Sequence, residues 1–145
     1  MLHHANTNSF DYTMKNGDTN YICFEIFSTD GVIQTIVVFS LNTGFFYAIF
    51  NRYIQLEVIS ITVAGMLSAN VLIWNTIHAY VHGFDPSIIC SPKGVPRKYI
   101  TDNGITGWLI NNHRIHHDVK NTIYNIVFPG ADYLLGTYYS RSSSS

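Results

Sequence analysis

Two long stretches without a charged side chain, residues 32–50 and 58–77, constrain this chain more than any other feature. Each is about as long as the roughly 20 residues needed to cross the hydrocarbon core of a bilayer. Only the short polar connection at 51–57, which carries Arg52 and Glu57, separates them. The pair therefore predicts a membrane-spanning helical hairpin. The plainer reading of each run is a buried helix of a soluble protein, but such helices are usually shorter. Gly65, Ser68 and Ala69 in the second run are small residues of the kind that let membrane helices approach closely. Composition agrees: charged residues make up 12% of the chain, against about 25% in soluble domains.

A hairpin returns the chain to the side on which it began. Lys15, Lys93, Arg97, Lys98, Arg114, Lys120 and Arg141 fall on that side, and Arg52 alone falls in the connection. Positively charged flanks stay in the cytosol, so both ends of the chain are expected there. Net charge is near zero, which gives no reason to expect nucleic-acid binding. The polar N-terminal stretch predicts no signal peptide.

All seven histidines fall in groups on the same side of the hairpin. His3 and His4 are adjacent. His78 and His82 form an H-x-x-x-H, and His113, His116 and His117 form an H-x-x-H-H. On a helix, positions i, i+3 and i+4 share a face. The second run is expected to continue as helix to His82, and residues 107–119 are expected to form another helix. Trp108, Leu109 and Ile115 would give that helix an apolar side at the membrane surface. Imidazole is the commonest side-chain metal ligand and suits iron, zinc, copper and nickel. Seven imidazoles exceed the needs of one tetrahedral zinc and approach those of a two-metal site. The plainer reading of each group is a set of structural histidines, and neighbouring His3 and His4 diverge by about 100° if helical.

The remaining segments are less constrained. Residues 1–19 read as loop with short ordered pieces, and residues 83–103 as loop punctuated by Pro86, Pro92, Gly94 and Pro96. Residues 124–130 read as a turn into 132–138. The whole is expected to be one domain over residues 1–140, with a disordered serine tail at 141–145. Cys23 and Cys90 are far apart and form no C-x-x-C, so free thiols are expected.

In order and rough spacing, these motifs resemble the plasmanylethanolamine desaturase (Kua) family. That family belongs to the histidine-rich, membrane-bound di-iron lipid desaturases and hydroxylases. The resemblance rests on His3-His4 followed by Asn16-Gly17-Asp18, on Asn75, His78 and His82 at the end of the hydrophobic region, and on His113-Arg114-Ile115-His116-His117 after a proline-containing loop. The family carries further membrane sequence and another histidine ahead of its His-His pair. Against that pattern this chain is expected to be N-terminally short, with the ligand count incomplete. Residues 125–138, with Asp132, Gly136 and Thr137, look more like the end of the fatty acid hydroxylase and sterol desaturase superfamily.

The resemblance implies an all-α integral membrane hairpin under a cytosolic, histidine-rich helical cap, in the endoplasmic reticulum or its equivalent. It implies two iron ions held by His3, His4, His78, His82, His113, His116 and His117. Oxygen and two electrons from cytochrome b5 or ferredoxin would then desaturate or hydroxylate a lipid chain, including that of an ether phospholipid. Asp118 and Asp102 are candidates to orient ligand imidazoles, although a solvated loop charge is the plainer reading of each. Asn75 is a further such candidate, or a helix-packing amide. A fatty acid or sterol hydroxylase is the alternative within this chemistry. A non-catalytic or zinc-binding membrane protein that works by interaction is the alternative outside it. Two helices bury little surface, so packing against a second copy or a partner chain is expected.

Overall fold

Ser28 starts the first long helix. Its Oγ accepts the Gly31 N–H at 3.0 Å and donates to the Glu25 carbonyl at 2.8 Å, which satisfies one of the orphan donors at a helix start. The computed structural model describes residues 7–8, 10–17, 19, 22–119 and 130–139. Within them the regular elements are helical. They are α1 (Thr29–Phe50), α2 (Leu56–Val81), the single turn α3 (Pro86–Ile89), α4 (Gly104–Asp118) and the short α5 (Gly130–Leu135), with 3-10 turns at Lys15–Gly17 and Arg97–Tyr99. The expected loop at 83–103 thus holds two short helical turns.

The two charge-free runs are the two long helices, α1 with 22 residues and α2 with 26. At 1.5 Å per residue, either can cross a hydrocarbon core of about 30 Å. Only 6% of the most apolar window of α1 and 11% of that of α2 is buried within the protein. Leu41, Phe45, Ile61 and Met66 are all more than half exposed. A core helix of a soluble protein would bury such side chains, so these faces need lipid or a partner against them. Three polar side chains in the spans are satisfied by the helix itself, while the buried Thr43 Oγ1 has no hydrogen-bond partner among the described residues. Asn42, Thr62 and Ser68 donate to the carbonyls four residues back, each at 2.8 Å, as a span in lipid requires. The small residues Gly65, Ser68 and Ala69 do not form the hairpin contact. They are exposed, and a Cβ on Gly65 would meet nothing within 4 Å. The buried positions on the apolar part of α2 are Ile59 and Val63 instead.

Burial concentrates where α2 leaves the apolar region. Asn75, Thr76, Ile77, His78, Ala79 and Val81 are buried. The helix ends at His82 in a Schellman motif. Gly83 (φ +88°) takes the left-handed position, its N–H donates to Tyr80 O at 3.1 Å, and the Phe84 N–H donates to Ala79 O at 3.0 Å. Arg97 Nη1 donates to the carbonyls of Phe84 (3.2 Å) and Tyr80 (3.4 Å), so a cation meets the negative end of the helix. Gly94 lets the following loop lie against α2, because a Cβ there would fall 2.6 Å from Pro86 Cβ and 3.1 Å from Thr76 Cα. Thr76 Oγ1 accepts the Val95 N–H at 3.0 Å across the same contact.

Two small cores complete this end. Ile77 and Val81 pack with Leu109 and Ile110, which docks α4 onto the last turns of α2. Met14, Ile22, Ala79 and Cys90 form the other, joined by Cys23, Phe84 and Ile89. The expectation that Leu109 and Ile115 face the membrane surface is corrected, since both are buried inside the cap while Trp108 is 40% exposed. The free-thiol expectation is corrected as well: Cys23 and Cys90 form a disulfide across a sequence separation of 67. The hairpin is the reason. It returns residue 90 to the end of the molecule where residue 23 lies, so distance along the chain says nothing about distance in space.

Candidate metal centre

α2 and α4 each present a histidine pair at i and i+4, and the two pairs face each other. The ring centroids of His78 lie 4.8 Å from His82 and 4.7 Å from His113. Those of His82 and His113 are 5.1 Å apart, and His117 lies 4.9 Å from His82 and 4.8 Å from His113. The result is a box of four imidazoles. The packing of Ile77 and Val81 on Leu109 and Ile110 sets its register, one residue from His78 and His82 and one turn before His113. His78, His82 and His113 are buried, and their potential ligand atoms lie within 4.8 Å of one another.

Backbone carbonyls fix the tautomers on α2. His78 Nδ1 lies 2.5 Å from Ile22 O, and His82 Nδ1 lies 2.6 Å from Tyr12 O. A carbonyl only accepts, so each Nδ1 carries the proton and each Nε2 keeps a lone pair. Ligating histidines typically make this kind of outer bond. His113 Nε2 stands 3.1 Å from both His82 Nε2 and His117 Nε2. One nitrogen has at most one hydrogen to offer two neighbours. A cation among the three resolves the conflict, and two nitrogens each about 2.0–2.1 Å from one ion stand roughly 2.9–3.4 Å apart. His113 Nδ1 is buried without a hydrogen-bond partner. Burial first, and then the neighbouring imidazoles of His78, His117, His82 and His116, hold His113 well below the usual histidine pKa of 6.5. It therefore stays neutral, the form that ligates.

The other expected residues are distributed around this box. His116 flanks it, its ring 6.2 Å from His113 and 5.7 Å from His117. His3 and His4 lie outside the described residues, as do Asp18 and the serine tail. Both Asp118 oxygens accept the Tyr12 hydroxyl at 2.9 Å. Tyr12 thus ties the end of α4 to His82, through its side chain and its carbonyl respectively. It does so in the left-handed region (φ +61°), a strained conformation for a non-glycine residue. Asp102 is half-exposed, accepts from Tyr80 Oη at 3.1 Å and pairs with Arg114 at 3.7 Å. Asn75 is fully buried. Its Oδ1 accepts the Phe24 N–H at 2.7 Å, and its Nδ2 donates to Phe24 O (3.3 Å) and Pro92 O (2.9 Å).

Some contributors were not marked by the sequence. Tyr12 and Ile22 act through backbone carbonyls, which any residue carries. Trp74 is the one with a legible signal, one turn before His78 on the same helix face. Its ring lies 4.6 Å from that of His78. Trp74 also lines an open cavity of about 760 Å³ between α1 and α2, with Phe24, Phe39, Ala64, Leu67 and Val71 among its walls. Trp74 therefore stands between an apolar groove of the two long helices and His78.

Comparison with protein-family models, with curated proteins and with solved structures finds no match to this chain.

Proposed function

We propose that the chain is a membrane metal enzyme that uses oxygen to desaturate an acyl or alkyl chain of a lipid, including that of an ether phospholipid. One observation carries this reading: the apolar groove between the long helices is lined by Trp74, whose ring lies 4.6 Å from that of His78 in the imidazole box. Pockets of a few hundred to about 1,000 Å³ hold molecules of lipid-chain bulk. An aliphatic chain entering from the bilayer would lie along Phe39, Leu67 and Val71. Trp74 would then direct it to the metal side of His78. His78, His82, His113 and His117 would hold the ion, and the carbonyls of Ile22 and Tyr12 would keep the α2 imidazoles turned toward it. A redox-active metal such as iron supplies the oxygen chemistry, which zinc cannot. A second iron would draw on His116, His3 and His4.

The charge distribution argues that the cap faces the cytosol, as in the endoplasmic reticulum or an equivalent membrane. Electrons would come from a cytochrome b5 or ferredoxin type donor on that face. Hydroxylation of a fatty acid or sterol is the alternative outcome of the same site. The test is lipid analysis after expression. Wild type is expected to yield an alkene or vinyl ether, or an alcohol if it hydroxylates, and His113→Ala to yield neither. Lipid composition that is the same with and without the wild-type protein contradicts both enzyme readings. A second reading draws on the four imidazoles at one centre, the number a single tetrahedral zinc takes. It is a non-catalytic zinc-binding membrane protein, and stoichiometric zinc without product would favour it.

A further inference from the structure

Three consecutive residues ahead of α1 are fastened to the far end of the hairpin by three different bonds. The Ile22 carbonyl accepts from His78 Nδ1 at 2.5 Å. Cys23 is bonded to Cys90. Phe24 exchanges two hydrogen bonds with the Asn75 side chain, at 2.7 and 3.3 Å. Residues 22–24 belong to no regular element, so no backbone ladder holds them there. Cys90 is buried beside Ile22 and Ala79 in the same small core, and its Sγ lies 3.6 Å from Asn75 O. The covalent bond therefore sits one residue from the carbonyl that orients His78. On a cytosolic face, moreover, a disulfide is usually transient or redox-sensing rather than a permanent staple.

We infer that the Cys23–Cys90 disulfide is a redox latch on the histidine box: oxidised, it holds the Ile22 carbonyl on His78, and reduction by a dithiol releases that hold and weakens metal binding. The inference rests on the metal-centre reading and adds regulation to it. In the reducing step the dithiol supplies two electrons and two protons. The S–S bond breaks, Cys23 and Cys90 become thiols, and the dithiol becomes a disulfide. Residues 22–24 then lose their one covalent tether and keep the hydrogen bonds to His78 and Asn75 and the burial of Ile22. Losing an outer partner of a ligating histidine typically costs about 10–100-fold in metal affinity.

The test uses the full chain in lipid nanodiscs, with Co(II) as the probe in competition with a chelator. Protein is compared oxidised and after treatment with a phosphine, which reduces the bond by taking oxygen from water and does not compete as a thiol ligand. The expected result is Co(II) binding about 10–100-fold weaker after reduction, a change in the visible Co(II) bands, recovery on reoxidation, and an unchanged helical circular-dichroism signal. The double variant Cys23→Ser/Cys90→Ser is expected to match reduced wild type and to ignore the phosphine. Equal affinity in both states overturns the latch and leaves the metal centre standing. So does a loss of helical signal on reduction, which would make the bond a staple of the fold. Failure of the oxidised protein to bind Co(II) at all overturns the centre and the latch together.

Discussion

His113 is the residue on which the site turns. It is buried, its Nδ1 has no partner, and its Nε2 meets two other imidazole nitrogens. An imidazole so placed is costly to bury unless something satisfies it, and a metal ion would satisfy its Nε2. Its proton chemistry gives a prediction for the metal-free protein. The folded-state pKa is depressed below 6.5, chiefly by burial. Below that value the unfolded chain binds a proton that the folded chain refuses, so stability falls as pH falls. Thermal unfolding of metal-free protein is expected to shift to lower temperature from about pH 7 to pH 5. The histidine pairs themselves were legible in the sequence because helical spacing sets which residues share a face. Tyr12 and Ile22 were not, since their part in the site is a backbone carbonyl and a left-handed turn, and neither leaves a mark in residue type.

The charge-free runs announced α1 and α2, because a long apolar stretch has few ways to satisfy its backbone other than a helix. Which faces of those helices touch was not legible. Gly65, Ser68 and Ala69 pointed to one contact, but all three are exposed, Ser68 lines an open groove with Ala64 and Leu67, and the buried positions on that part of the helix are Ile59 and Val63. Side-chain size along one helix does not reveal the rotation of its neighbour. The groove yields a prediction at this scale. Ala64→Trp would fill part of the cavity far from the cap. It is expected to lower lipid turnover by at least tenfold, a barrier change of about 1.4 kcal/mol, while metal content stays at the wild-type level. Full turnover with the groove filled would mean that the substrate enters elsewhere.

For the whole molecule, the hairpin brings the segment before α1, the loop after α2 and helix α4 to one end. The Cys23–Cys90 pairing follows from that return rather than from any cysteine motif, which is why spacing alone predicted free thiols. The loop after α2 folds α4 back onto the last turns of that helix, so His78 and His82 meet His113 and His117. Sidedness is testable directly. With the cap in the cytosol, a protease added to sealed microsomes is expected to cut within the C-terminal half, where Arg97, Lys98 and Arg114 lie. Complete protection of that half would put the cap in the lumen, where the disulfide would be permanent.

The most direct test of the histidine box is metal analysis of protein purified in detergent from iron-supplied cells, wild type beside His82→Ala and His113→Ala. At least one ion per chain is expected in the wild type, held by the set that includes His78, His82 and His113, and each variant is expected to lose it. A content near two irons would bring in His116 and the His3-His4 pair. Wild-type protein with no more metal than the variants would contradict the account, and the four imidazoles would then be a structural cluster.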